Sequence, residues 1–351
     1  MRELSLRCAE FCADQTMTPN AMQINGMNIL VTVGAGYIGS HVCKALSAAG
    51  FQPVVYDSLV RGHRAAVKWG ALEVGDIRDV SCLTAVFRRY QPEAVLHFAA
   101  SCYVGESMLQ PADYFETNLT GSIQLLRVML EQGVKNIVFS SSCATYEVPA
   151  EIPIRETTPR NPVNPYGWSK LMVERVLSTY SEAYGLRAMM LRYFNAAGAD
   201  PGGEIGERHN PETHLIPRAI MATRGEIERL EVFGTDYPTP DGTCVRDYVH
   251  VTDLAAAHVA ALHYLLNGSP TAALNLGTGR GYSVKEVIKT VEQVTGRKVP
   301  VNYCPPRPGD PPSLVADGSL AANILGVRPA FSDLDTIVET AWKWYRRAAT
   351  A

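Results

Sequence analysis

At 351 residues the chain is long enough to bury a large core and to divide into two lobes. Its net charge of -3 and its scattered Lys and Arg exclude the basic footprint that nucleic acid or anionic lipid requires. No apolar stretch approaches the roughly 18 to 20 residues that span a bilayer, and the N-terminus has no apolar signal core, so small-molecule chemistry in the cytosol is expected.

Residues 1–26 carry little periodicity and are predicted to be a disordered extension ahead of Met27. From Asn28, short apolar runs alternate with amphipathic stretches: Asn28 to Val33, Pro53 to Tyr56, Ala94 to Phe98, Asn136 to Phe139 and Ala188 to Leu191. That rhythm predicts an α/β fold, a doubly wound parallel sheet covered by helices, over 27–195. Ile38, Val42 and Leu46 recur at helical spacing, Gly50 is placed to end that helix, and the first unit reads βαβ. Farther on, Asn164-Pro165 makes an N-cap and first turn, and Val173, Val176, Leu177, Tyr180 and Tyr184 supply one apolar face. After about residue 196, Gly, Pro and polar clusters predict a smaller, less regular lobe over 196–351. A helical Asp253 to Leu266 and a strand-like Ala273 to Leu276 predict a return to the first lobe near 246–276. The eight cysteines, at 8, 12, 43, 82, 102, 143, 244 and 304, have neither C-x-x-C spacing nor a neighbouring histidine cluster, so reduced thiols and no metal are expected.

The first run ends in a glycine turn, Gly34-Ala35-Gly36-Tyr37-Ile38-Gly39, placed between strand and helix. Such a turn lets backbone N–H groups approach a pyrophosphate at a helix N-terminus, although the same glycines also serve tight strand–helix packing. Asp57, eighteen residues beyond Gly39, suits a ribose diol and selects against a 2′-phosphate, which favours NAD over NADP. Tyr166 and Lys170 stand four apart on one face of the predicted helix. A phenol ionises near pH ~10, and a lysine cation together with a positively charged cofactor is expected to pull that value down. The next strand is read from Val138 to Tyr146, and Ser142 on it faces the ligand crevice and can meet Tyr166. A bare Y-x-x-x-K occurs by chance, and a serine-rich strand end is more often a solvated turn. The order of all four signals along one chain is what gives them weight.

The chain resembles the extended short-chain dehydrogenase/reductases, and within them the UDP-glucose 4-epimerases, over nearly everything from Met27 onward. The matching stretches are GAGYIGSH from Gly34, GDIRD from Gly75, HFAA from His97, YVGES from Tyr103, FSSS from Phe139, NPYGWSKLMVE from Asn164, LRYFNAAGA from Leu191, FGTDYPTPDGTCVRDYVHV from Phe233, NLGTG from Asn275 and RPGDPP from Arg307. The resemblance implies a resident NAD held by Gly34, Gly36, Tyr37, Ile38 and Gly39 at the pyrophosphate, Asp57 and Ser58 at the adenine ribose, and Asp76 and Ile77 at the adenine. Phe98, Ala99, Ala100, Asn118, Ser140, Lys170 and Tyr193 would continue that site. It also implies Tyr166 as catalytic base, Ser142 as its partner on the sugar 4-hydroxyl and Lys170 as the cation beside the phenol. Asn195, His214, Leu215, Phe233, Arg246, Arg307 and Asp310 would contact a UDP-sugar, with Arg246 and Arg307 on the diphosphate and Phe233 on uracil.

The implied reaction oxidises C4 of UDP-glucose or UDP-galactose, turns the 4-keto sugar and reduces its other face, and the implied assembly is a homodimer through the Tyr166 helix. UDP-xylose/UDP-arabinose and N-acetylhexosamine substrates stay open as alternatives. A dehydratase is disfavoured, because Cys143 and Ala144 follow Ser142 where such enzymes carry an Asp-Glu pair. Two departures leave a catalytically impaired NAD and UDP-sugar binder open as well. Val33 stands where the pattern T-G-x-x-G-x-x-G has its first glycine, and Glu147 stands where a glycine is usual. Cys102 also replaces a lysine found in some members.

Overall fold

A computed structural model of the chain describes residues 26–146, 148–307 and 310–348. The expected N-terminal extension (apart from Gly26) and Glu147 lie outside the described residues. The chain enters β1 (Asn28–Thr32), β2 (Gln52–Asp57), β3 (Ala71–Val74), β4 (Ala94–His97), β5 (Asn136–Ser142) and β6 (Arg187–Tyr193). It leaves for β7 (Asn195–Ala197), β8 (Leu230–Phe233) and β9 (Val245–His250), returns in β10 (Ala272–Leu276), and ends with β11 (Gly281–Ser283), β12 (Val301–Cys304) and β13 (Ser313–Leu314).

The main sheet is seven-stranded in the order β10-β6-β5-β4-β1-β2-β3, with every pairing parallel. Alternation along its strands builds two cores. Ile29 and Val31 of β1 pack with helices Tyr37–Ala48 and Val251–Leu266, while Leu30 points to the opposite face, under helices Val80–Tyr90, Gly121–Glu131 and Pro165–Tyr184. All three side chains are fully buried, each contributing on the order of 1.5–3 kcal/mol, and burial on both faces is what makes these strands read as continuous apolar runs. Strand order reverses between β1 and β4, which opens a crevice at their carboxyl ends.

The predicted parallel sheet is present and β10 pairs with β6 in it, with three differences from the expected elements. β3 gave no apolar run to read, because Ala71–Val74 is a partly exposed edge strand. The strand read through Tyr146 stops at Ser142. There the Ser142 hydroxyl accepts the Ala144 N–H at 3.1 Å and caps a 3-10 turn over Cys143–Thr145. β9 belongs to the smaller sheet, paired with β7, β11 and β13, so the return begins with helix Val251–Leu266 rather than near 246. That second lobe has its own core, in which Ile220, Val291 and Ile337 join helices Leu215–Thr223, Val284–Thr295 and Leu334–Ala348. Among the described residues, no helix is long and apolar enough to cross a membrane.

Candidate active site

The glycine turn leaves β1 through Val33, whose φ is +56°, a conformation a β-branched residue adopts only under strain, of order 1–3 kcal/mol. Its side chain packs against both cores of the main sheet. Helix Tyr37–Ala48 then starts from Gly36 with no side-chain cap and no acid in its first turn, which leaves its positive end for an anion. A Cβ on Gly39 would stand 2.2 Å from the Val33 carbonyl oxygen, so this position admits only hydrogen. Gly39→Ala is accordingly expected to destabilise the fold by about 1–3 kcal/mol. Val33→Gly trades strain relief against lost packing and backbone entropy and should stay within about 1 kcal/mol of the parent. Urea unfolding of the two variants checks both values.

Asp57 ends β2 with its carboxylate held from both sides, accepting the Leu59 N–H at 2.8 Å and the Ala35 N–H at 3.0 Å. Burial pushes its pKa up, and these amides oppose the rise. Ser58 is exposed beside it. Asp76 is paired with Arg78 through two contacts of 2.9 and 2.7 Å, and Ile77 is buried.

A network that the sequence reading missed fixes the ends of β1 and β4. Thr32 Oγ1 accepts the N–H groups of Phe98 (3.0 Å) and Ala99 (3.1 Å) and therefore donates to His97 Nδ1 at 2.9 Å. The His97 proton is thereby assigned to Nε2, which donates to Ser122 Oγ at 2.8 Å. Asn118, expected at the cofactor, spends its amide on the chain. Its Oδ1 accepts the Ser101 N–H at 2.7 Å, and its Nδ2 donates to the Ser101 carbonyl at 3.0 Å and to Ser169 Oγ at 2.9 Å. It ties the loop of Ala99 and Ala100 to the Tyr166 helix.

Helix Pro165–Tyr184 is capped as predicted, Asn164 Oδ1 accepting the Gly167 N–H at 2.8 Å. A Cβ on Gly167 would lie 2.2 Å from the Ala144 carbonyl, and this close approach brings Tyr166 to Ser142. Ser142 lies within reach of the phenol and works to lower its pKa. Lys170 donates to the Ser140 carbonyl at 2.8 Å, and its Nζ sits 5.9 Å from the centre of the Tyr166 ring. Ser140 Oγ in turn bonds the Tyr193 hydroxyl.

The expected lowering of the phenol by Lys170 is not what the chain's own groups produce. Burial raises the Tyr166 pKa well above its usual value, Cys102 and Tyr193 add to the rise, and Ser142 opposes it only in part. Burial also brings the Lys170 ammonium down to about 8, against Cys102 and Glu174. Desolvation outweighs the lysine charge because that charge is directed at the Ser140 carbonyl. Behind the serines, Glu174 accepts from Arg192 at 2.8 and 2.7 Å and from Arg160 at 3.0 Å, a buried ion network that locks β5, β6 and the helix together. The run L-M-V-E-R carried it, but only the fold reveals Arg192 as partner.

The second lobe reaches the same strand ends. Arg246, on β9, acts electrostatically on Cys143, and His214 and Lys170 both act on Cys102. Arg246 donates to the Val245 carbonyl at 2.8 Å and is paired with Asp310. Asn195 lies in β7, and His214 and Leu215 open helix Leu215–Thr223. Phe233 and Arg307 form a separate pair, the guanidinium 3.9 Å from the ring centre, so one face expected for uracil carries a cation. The sequence reading also missed the cluster Glu207, His209, Glu212 and His214, whose ligand atoms lie within 4.8 Å of one another. Its spacing, E-x-H-x-x-E-x-H, was the available signal.

Residues 29–277 match the profile of the NAD dependent epimerase/dehydratase family. A protein of Rhizobium meliloti (strain 1021) named UDP-glucose 4-epimerase is 52% identical over 320 residues, 91% of this chain and 97% of its own. The crystal structure of UDP-glucose 4-epimerase from Brucella ovis in complex with NAD aligns with a TM-score of 0.89 at 54% identity, covering 90% of this chain and 98% of that one. The enzyme from Bifidobacterium longum in complex with NAD+ and UDP aligns at 0.87 and 36% identity, covering 92% and 99%.

Proposed function

The chain belongs to the NAD dependent epimerase/dehydratase family, and from that membership we propose that it interconverts UDP-glucose and UDP-galactose with NAD as resident cofactor, a step of galactose metabolism. The observation that carries the reading is the meeting of Ser142, Tyr166 and Lys170 at the carboxyl end of β5, beside an uncapped helix N-terminus and across from Arg246. The dinucleotide belongs on the positive end of helix Tyr37–Ala48, with Gly36 to Gly39 at the pyrophosphate and Asp57, whose oxygens keep acceptor capacity, at the ribose. NAD bound there supplies a hydride acceptor and donor at the sugar C4.

Tyr166 removes the proton of the 4-hydroxyl and later returns it, while Ser142 holds that oxygen in line. Lys170, fixed by Ser140 and Phe139, keeps a positive charge near the phenol. Arg246 and Asp310 form a polar pair that can accept the diphosphate through the guanidinium, so the sugar is held by its tail while its ring turns. Helix Val104–Leu109, with exposed Met108 and Leu109, packs against the Tyr166 helix, which exposes Trp168 and Met172, and this apolar surface supports the expected homodimer.

The test is direct. Purified protein should carry the absorbance of bound NAD, convert UDP-galactose to UDP-glucose, and run in light scattering at the mass of two chains. Bound NAD with no product would leave only a binding protein. Faster turnover of UDP-xylose or an N-acetylated sugar would reassign the substrate.

A further inference from the structure

We propose that Glu207, His209, Glu212 and His214 form a closed, structural site for a zinc-class divalent transition ion that takes no part in the proton or hydride transfer. The four residues come from one loop leading into helix Leu215–Thr223, yet they converge on a single point. His214 Nδ1 lies 2.9 Å from Glu207 Oε1 and 2.8 Å from Glu212 Oε1. His209 Nδ1 lies 3.2 Å from Glu207 Oε1 and 3.5 Å from Glu212 Oε2. Ligand atoms on a tetrahedral ion with bonds of about 2.0–2.1 Å stand about 3.3–3.4 Å apart, so side-chain rotations that part the closest pairs and draw in the widest, within 4.8 Å, would receive one.

Burial gives a second, independent reason. Glu207 is 4% exposed and Glu212 8%, and two buried carboxylates sharing one point require positive charge, which His209 and His214 carry as protons in the metal-free chain and a divalent ion would supply in their place. Two ligand atoms, His209 Nδ1 and Glu212 Oε2, are buried without a hydrogen-bond partner, which is the state of a donor aimed at an ion. The surroundings hold the ligands in place. Glu212 Oε1 accepts the N–H groups of Thr213 (2.8 Å) and His214 (2.9 Å), and the His209 ring is flanked edge-on by Tyr37 and Tyr103. Two imidazoles with two carboxylates favour zinc and its neighbours over magnesium or calcium, which take oxygen donors. With four protein ligands no position stays open for catalysis. The ion would anchor the second lobe's loop against Tyr37 of the glycine turn, and so fix the entry of the helix that begins with His214 and Leu215.

The experiment uses the full chain, stripped with a chelator, incubated with Zn2+ and desalted. Elemental analysis should find about one zinc per chain in the parent, and His209→Ala and the double variant Glu207→Gln/Glu212→Gln should each bind at least about 100-fold more weakly in competition with a chromophoric chelator. Far-UV circular dichroism of each variant separates lost ligation from lost folding. Substituting Co2+ into the parent gives a readout free of variants. Intense visible bands of a four-coordinate site, without the near-ultraviolet band of a thiolate ligand, are expected. Zinc retained equally by parent and His209→Ala, zinc not retained by the parent, or a weak octahedral Co2+ spectrum would each overturn the site.

Discussion

Tyr166→Phe is expected to lower kcat by about 100- to 10,000-fold, the range that a positioned general acid–base contributes, with little change in KM and full retention of NAD. The substitution keeps the ring and removes only the oxygen. Burial raises its pKa and Ser142 opposes the rise only in part, so the chain by itself holds the phenol protonated at neutral pH. The base therefore depends on added positive charge in the crevice, and the oxidised nicotinamide ring of bound NAD is the group able to add it. Two further outcomes follow from this arrangement. The variant should show no build-up of reduced cofactor when given UDP-galactose, because hydride transfer from C4 needs the proton to leave. Its Lys170, bonded to the Ser140 carbonyl and seated over Phe139, should keep its place, so far-UV spectra and NAD content should match the parent. A kcat equal to the parent's would remove Tyr166 from the chemistry. A lost NAD complement would instead make it a residue of the cofactor site.

The main sheet was legible because its strands are buried on both faces, so apolar runs and glycine punctuation survive in one dimension. The same logic explains the miss at β3, where an edge strand shares its burial with solvent and carries no run. At the site, residues whose partners are close in sequence were readable. Asn164 caps its own helix, and Tyr166 and Lys170 share a face. Residues that matter through distant partners were not. Thr32 with His97 and Ser122, and Glu174 with Arg192, are separated by long stretches of chain that only the sheet order brings together. The upward pull of burial on Tyr166 was hidden for a related reason, since sequence spacing places a charge but says nothing of the desolvation around it. Val33 was readable as a departure, and the positive φ there shows that the turn keeps its course and accepts the strain.

Acid should destabilise the metal-free protein through its buried histidines, with stability falling by about 3 kcal/mol net between pH 7.5 and pH 5.5 and unfolding near pH 5.5 taking up roughly three to four protons. Burial, the largest cause in each case, lowers His97 and His250 to about 3 and His41 and His258 to about 4. Each is a base with a folded pKa below the unfolded value of about 6.5, so the unfolded chain binds more protons between those limits. Their contribution is complete above about pH 6.5 and is lost as pH falls toward the folded values, each at about 1.4 kcal/mol per pH unit.

Burial is why the folded state refuses the proton, and the carbonyl bonds of His41 and His258 oppose it only in part. His41 donates Nδ1–H to the Tyr37 carbonyl at 2.8 Å and His258 donates to the Leu254 carbonyl at 2.8 Å, leaving both Nε2 atoms buried without a partner. His250 accepts the Thr252 N–H on Nδ1 at 3.0 Å, and His97 accepts from Thr32, so protonation there displaces a donor. His209 and His214 shift the other way: burial opposes their charge, but Glu207 and Glu212 outweigh it, carrying His209 to about 9 and His214 well above its usual value. Without a metal they gain stability as pH falls through the unfolded value of about 6.5, which offsets about half of the loss over this window. Urea unfolding of the metal-free protein at pH 7.5, 6.5 and 5.5 measures the net fall, and His258→Gln should reduce it by about half. A stability that does not vary across that window would mean that these imidazoles take up protons without leaving their sites.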